Sequence, residues 1–283
     1  MRKAWVVLFI ILVQMGHASN YFANGELIDD ERAAQLITVI ITTSPTPSMP
    51  SLKHLYPACT SLFKVPAFAK CKKIIVFDGL PPKYANRARD YKKYKKRVKM
   101  LIEQDQRFSN TKLVFCDKWV HLSGALREAM QHVTTPFVFI HQHDMQLVKE
   151  FDLNGCLASM VLNPNIKYIH LTIEDNQYES GEMISPWYGL VDSYIEGVNL
   201  VCLTRCFGWS DYAHVTTAKY MREFVLPRCG HGRMETWLQH DFKQALLGKD
   251  FYEIDDVHPE FGTYLYGDID DGHYIHHSDG ANQ

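Results

Sequence analysis

No Asn-x-Ser/Thr tripeptide occurs anywhere in the 283 residues, so the chain carries no N-glycosylation acceptor. Several catalytic signatures are missing as well. There is no Gly-x-x-x-x-Gly-Lys-Ser/Thr phosphate loop, no Gly-x-Gly-x-x-Gly fingerprint, no His-Glu-x-x-His zinc helix and no Gly-x-Ser-x-Gly elbow. Cys202 and Cys206 have the wrong spacing for a redox Cys-x-x-Cys pair. Charge of neither sign is in excess: 30 Lys+Arg face 32 Asp+Glu, for a net charge of -2, which argues against a nucleic-acid partner. Long apolar runs are confined to the first fifteen residues, which excludes a polytopic helical membrane protein.

What is present describes a globular chain. At 46% hydrophobic residues and this length, a full core can be buried as one large domain. Arg2 and Lys3 precede the apolar run Ala4–Met15, and small residues follow at Gly16 and Ala18. That order is the layout of a secretory signal over residues 1–19, or of a short membrane anchor, since twelve apolar residues are few for a span. Either one implies the secretory pathway, with membrane association through the N-terminus in the second case. Residues 20–35 read as a polar lead-in. Seven cysteines at wide spacing leave at least one unpaired within the chain, with Cys59/Cys71 and Cys206/Cys229 as candidate bridges.

Residues 36–283 carry the fold signal. Leu36–Thr43, Lys73–Phe77, Lys112–Phe115 and Pro136–Ile140 are short, apolar and bounded by turn residues, as strands buried on both faces are. Helical patterns separate them around Ser51–Phe63, Tyr84–Gln104 and Leu122–Val133. Strand and helix in alternation predict an α/β doubly wound, mostly parallel sheet flanked by helices. Nine Lys/Arg fall between Lys83 and Lys99, but Tyr84, Ala88, Tyr91, Tyr94, Val98 and Leu101 recur at helical spacing. The run therefore reads as an amphipathic helix with a solvated basic side. Further strands are expected at Lys167–Ile173 and Leu200–Thr204, and helices at Thr217–Leu226 and Glu235–Leu247. Aromatics crowd into segments read as irregular: Trp187-Tyr188, Phe207–Tyr212 and Gly262–Gly267.

Chemistry gathers at Phe137–Asp144, where a buried strand runs into His141, Gln142, His143 and Asp144. Ligands of open α/β sheets bind at the carboxyl ends of strands, and a carboxylate beside imidazoles there suits a divalent metal. The closing segment Asp268–Gly280 holds a second set of ligand-type residues, with Tyr264-Leu265-Tyr266 before it as packing.

Taken in order along the chain, these segments resemble the GT-A type glycosyltransferases, which move a sugar from a nucleotide-diphospho-sugar donor. Leu36–Thr43 resembles the opening donor-site strand, and Phe77-Asp78-Gly79 the second strand with its base-contacting acid. Pro136–Asp144 is similar to the strand that delivers an Asp-x-Asp metal motif, here Gln142-His143-Asp144, with Gln in place of the first carboxylate. Phe207–Asp211 and Arg233-Met234-Glu235 look like acceptor-side segments, and Tyr266–Gly280 like a closing segment with a metal-binding His. The resemblance implies Mn²⁺ or Mg²⁺ held by Asp144 and His277 with His143 as a third ligand. It implies donor contacts from Thr43, Asp78, Arg87 and Gln142, and Glu235 as catalytic base with Asp211 in reserve. The acceptor is an unspecified glycan, protein or lipid hydroxyl. Two other readings are compatible with the same residues. One is a catalytically inactive nucleotide-sugar or carbohydrate binder. The other is a secreted metal-dependent hydrolase using Asp144, His170, His214 and His277.

Overall fold

The computed structural model describes residues 21–23, 26–173, 201–206, 208–249, 251–267 and 271–278. The N-terminal apolar run, Trp187-Tyr188, Leu200, Phe207 and the stretches 268–270 and 279–280 of the closing segment lie outside these residues.

A hairpin of β1 (Tyr21–Ala23) and β2 (Glu26–Ile28) leads to α1 (Asp30–Leu36), which is capped by Asp29 accepting from the Arg32 N–H. Ile28, Ala33 and Ala34 are buried in the main core, so the lead-in is a packed part of the fold. The β3 strand (Ile37–Thr43) follows at once, buried along its whole length. Helices α2 (Leu55–Ser61) and α3 (Pro66–Lys70) precede β4 (Lys72–Phe77), and α4 (Ala88–Gln104) precedes β5 (Thr111–Phe115). Then come α5 (His121–Met130) and β6 (Phe137–Gln142). The four expected strands are present with ends shifted by no more than two residues.

Next are β7 (Met145–Leu147), α6 (Leu153–Leu162), β8 (Tyr168–His170), β9 (Leu203–Arg205) and β10 (His214–Thr217). Short helices α7 (Ala218–Tyr220) and α8 (Leu226–Arg228) are joined by a π-helical turn at Met221–Val225. The described chain closes with α9 (Met234–Leu246), α10 (Phe251–Phe261), β11 (Thr263–Tyr266) and β12 (Ile275–His277).

Eight strands form one sheet in the order β5-β4-β3-β6-β10-β8-β11-β9. Strands β3, β4, β5, β6, β8 and β11 run one way, and β9 and β10 the other. The sheet is thus mostly parallel, with helices on both faces. Strand alternation sends Val39, Ile41, Ile75 and Phe139 into one core with α2, α3, α4 and α6. Ile40, Ile74, Val76, Val138 and Ile140 enter the other with α5, α7, α8 and α9. Each fully buried isoleucine of β3 contributes about 2 kcal/mol through the apolar surface it removes from water. On α4, Tyr91, Tyr94 and Val98 face the core while Lys92, Lys93, Lys96 and Lys99 are exposed, as the amphipathic pattern requires.

Three expectations need correction. Residues 263–266 form strand β11 inside the sheet rather than an irregular segment; Tyr264 and Tyr266 pack on the main core. The helix expected from Thr217 starts one residue later, because Thr217 ends β10 and caps α7 through its hydroxyl, which accepts from the Tyr220 N–H at 3.0 Å. Cys59, Cys71, Cys206 and Cys229 are free thiols, so neither candidate bridge is formed. The Cys71 thiol donates to the Phe68 carbonyl and the Cys206 thiol to that of Gly208. Among the described residues, no helix is long and apolar enough to cross a membrane.

Candidate active site

The parallel register of β3, β4 and β6 sets their carboxyl ends side by side. The Asp78 N–H donates to the Thr43 carbonyl at 2.9 Å, and the His143 N–H to the Thr42 carbonyl at 3.0 Å. Thr43, Asp78, Gln142, His143 and Asp144 therefore share one edge of the sheet, where ligands of such folds bind. The Thr43 hydroxyl lies 2.8 Å from that of Tyr94, and the Tyr91 hydroxyl donates to the Asp78 carbonyl at 2.5 Å. Two α4 tyrosines thus brace the edge from below.

One oxygen of Asp78 accepts from the Gly79 N–H at 2.7 Å and from the Val120 N–H at 2.8 Å. Burial pushes this carboxyl above its ordinary value, against the pull of those amides. Asp78 thereby fastens the loop after β5 to the end of β4. Gly79 makes the approach feasible, since a Cβ there would sit 2.1 Å from the Lys118 carbonyl carbon. Gly79→Ala should destabilise the protein by about 2–3 kcal/mol or more. Urea unfolding checks this, and an unchanged midpoint would contradict the close contact.

At the end of β6, Asp144 Oδ2 lies 3.3 Å from His277 Nε2, across 133 positions of sequence. The strand β12 carries His277 there by pairing antiparallel with β7, with His277 opposite Met145. Ser278 clamps the junction, its N–H and hydroxyl both donating to the Asp144 carbonyl at 2.8 and 2.9 Å. Burial works to raise the Asp144 carboxyl, but the His277 hydrogen bond and the adjacent His143 outweigh it and hold it near a pKa of about 2. Its other oxygen, Oδ1, is buried with no hydrogen-bond partner among the described residues. A persistently ionised carboxylate with an open lone pair, beside an imidazole, fits a divalent cation.

The third group joins β6 to the second half of the chain. Gln142 Nε2 donates to the Asp211 carbonyl at 2.9 Å and to its Oδ1 at 3.3 Å. Glu235, in the first turn of α9, accepts through Oε1 from the Ser210 hydroxyl and from the Asp211 N–H at 3.1 Å. Burial first, and the Glu235 charge second, push the Asp211 carboxyl up to about 7. A carboxyl poised there can take a proton near neutrality. Glu235 is committed to holding the loop that presents it.

Not every expected residue arrives free. The Arg87 guanidinium is spent on the loop after β3, donating to the carbonyls of Thr46, Pro47 and Met49 and pairing with Asp90. It braces that loop rather than reaching open space. His141 is fully buried and stacks on Phe139, with burial pushing it down to about 4. His170 and His214 oppose each other on β8 and β10, packed among Tyr168, Trp209 and Tyr212. Among the described residues, no three His, Cys, Asp or Glu side chains are grouped to hold a metal by themselves, so the four-ligand hydrolase set is not assembled. Sequence reasoning missed Tyr94, Ser210 and Ser278. Only Tyr94 had a usable signal, its place on the apolar face of α4.

No protein-family model matches the chain, and no curated protein matches it by sequence. Solved structures do. The crystal structure of GalNAc-T7 with UDP, GalNAc and Mn²⁺ is 9% identical over 82% of this chain and 42% of that one, with a TM-score of 0.53. The S. aureus TarS 1-349 structure is 10% identical over 86% of this chain and 60% of its own, at a TM-score of 0.47. The mannosyltransferase PcManGT from Pyrobaculum calidifontis, in complex with GDP-Man and Mn²⁺, is 15% identical over 48% of this chain and 35% of its own, at 0.35. The chain spans less than two thirds of the length of each. With a mostly parallel sheet wound on both faces and the GalNAc-T7 likeness across most of its length, this chain has the GT-A type fold of the glycosyltransferases.

Proposed function

We propose that the protein transfers a sugar from a nucleotide-diphospho-sugar to an acceptor hydroxyl, with a bound Mn²⁺ or Mg²⁺. The observation that carries this reading is the Asp144–His277 pair at 3.3 Å, with a buried Asp144 oxygen left open. Support comes from the fold and from the GalNAc-T7 structure, which holds UDP, GalNAc and Mn²⁺. The metal, when bound, would neutralise charge building on the diphosphate leaving group. Asp144 and His277 would hold it, with His143 adding its imidazole nearby. Thr43 and Asp78, at the ends of β3 and β4, would meet the nucleoside. Asp211 would take the acceptor proton as the hydroxyl oxygen bonds to the anomeric carbon and the bond to phosphate breaks. Glu235 would keep Asp211 in place and raise its proton affinity. The N-terminal segment would direct the chain into the secretory pathway.

A thermal-shift screen of nucleotide-sugars with and without Mn²⁺ tests the reading, because a ligand of the native state must raise apparent stability. One donor should stabilise the protein only with metal present, and Asp144→Asn should abolish that dependence. Metal-independent stabilisation of both proteins would remove Asp144 from the role. A second reading, an inactive binder, is favoured by Gln142, whose amide is committed to Asp211. It predicts donor binding without transfer or donor hydrolysis.

A further inference from the structure

Four rings gather where the loop after β5 meets the approach to α9, and none belongs to the donor and metal groups above. Trp119 is 42% exposed and Trp237 45% exposed, high values for the largest side chain. The Trp119 and His121 rings lie 4.0 Å apart between centroids, and His121 and His231 6.3 Å apart. Trp237 covers Gly230, the residue before His231; a Cβ at 230 would meet its indole at 3.1 Å.

The shelf is built, not incidental. His121 holds φ = 60°, a left-handed conformation that costs a residue with a Cβ roughly 1–2 kcal/mol. The Asp78 bond to the Val120 N–H fixes the turn that imposes it. From the other side, the Ser123 hydroxyl donates to the Gly230 carbonyl at 2.8 Å, and Arg127 donates to the carbonyls of Leu226 and Cys229. The first turns of α5 therefore hold the 229–231 loop, and with it His231, beside His121.

We propose that this shelf binds the acceptor, and that the acceptor is a glycan whose pyranose rings stack on Trp119 and Trp237. The inference rests on the glycosyl-transfer reading and names the substrate class of that same site. A pyranose presents one apolar C–H face bordered by hydroxyls. An open indole takes such a face, while imidazole nitrogens between two indoles meet the hydroxyls. A nucleobase is flat on both sides and is better served by an enclosed slot than by a one-sided shelf. The shelf also joins the loop held by Asp78 to α9, whose Glu235 accepts from the Asp211 N–H, so it reaches from the donor edge toward the helix that holds the Asp211 loop.

The test is saturation-transfer NMR on the full chain with maltose, cellobiose, lactose and chitobiose, alongside UMP and GMP. At least one disaccharide should show saturable transfer to ring C–H protons. Its affinity should fall tenfold or more in Trp119→Ala and in Trp237→Ala, and be largely kept in Trp119→Phe. Both indoles are exposed, so circular dichroism should be unchanged. Saturable transfer from nucleotides alone, lost in Trp119→Ala, would make the shelf a base-binding wall and overturn the proposal; so would no saturable disaccharide. The metal-dependent donor shift, measured on the same samples, separates the two failures. Donor binding without disaccharide binding sinks only the shelf, and the reverse sinks only the donor reading.

Discussion

Asp211→Asn should lower turnover by about 10²–10⁴-fold while leaving metal-dependent donor binding intact. The asparagine keeps the shape and can still accept from Gln142, but it cannot take a proton. Glu235→Gln should behave differently. The Asp211 carboxyl stands near 7 through burial and, next, through the Glu235 charge. Removing that charge lets Asp211 ionise at lower pH. A base works only when deprotonated, so activity rises with pH through its pKa, and the acid limb of the Glu235→Gln profile should move to lower pH. Turnover at neutral pH should fall less than in Asp211→Asn, in proportion to the weaker base. If Glu235→Gln instead removes activity as completely as Asp211→Asn, with no shift in the limb, Glu235 is the base and Asp211 its support. pH–rate profiles of the two variants decide between the carboxylates.

Acid should weaken the fold well above the range where carboxylates titrate. Burial, and next the neighbouring His214, push His170 down to about 3; burial pushes His214 down to about 4 against a hydrogen bond to the Tyr212 carbonyl that favours its charged form. Among the described residues no acidic side chain offsets this; the rings around them are Tyr168, Trp209 and Tyr212. In the unfolded chain both imidazoles take up protons near pH 6.5. The unfolded state therefore binds more protons between about pH 6.5 and these lowered values, and stability falls as pH falls through that window. At pH 5 each imidazole costs about 2 kcal/mol. Together they remove on the order of 4 kcal/mol from a net stability of about 5–15 kcal/mol. Urea midpoints at pH 7.5 and pH 5 measure the loss. Neither ring nitrogen of His170 has a hydrogen-bond partner among the described residues, so His170→Leu removes the titration without breaking a bond. It should flatten the pH dependence by about half. An unchanged slope in that variant would acquit His170.

The central strands were readable because β3, β4 and β6 are short runs rich in β-branched and aromatic residues, followed by Ser44-Pro45, Asp78-Gly79 and the polar cluster His141–Asp144. Asp144 and His277 could be nominated from the order of segments along the chain. Helix α6 could not be read, since residues 153–160 are buried all round and no polar face marks the period. Strand β11 was hidden for a related reason: Thr-Tyr-Leu-Tyr offers no alternation of polar and apolar residues. The raised Asp211 carboxyl depends in part on a charge 24 positions away, and the bracing by Arg87 on three carbonyls some 40 positions upstream. His121 gives no sign in its identity that Asp78 will force its backbone into a left-handed turn. Such facts belong to pairs of residues that only the fold brings together.

The doublet His276-His277 looks like a ligand with a spare, but the pairing of β12 with β7 makes the choice between them. Cross-strand partners share a face, so a slip of one residue would bring His276 to the rung now held by His277. The same slip would turn Ile275, now fully buried opposite Leu147, out towards water. Losing that burial costs about 2 kcal/mol, some thirtyfold in population. The imidazole that meets Asp144 is thus selected by an isoleucine two positions away that binds nothing, and a polar residue at 275 would leave the two histidines competing for one carboxylate.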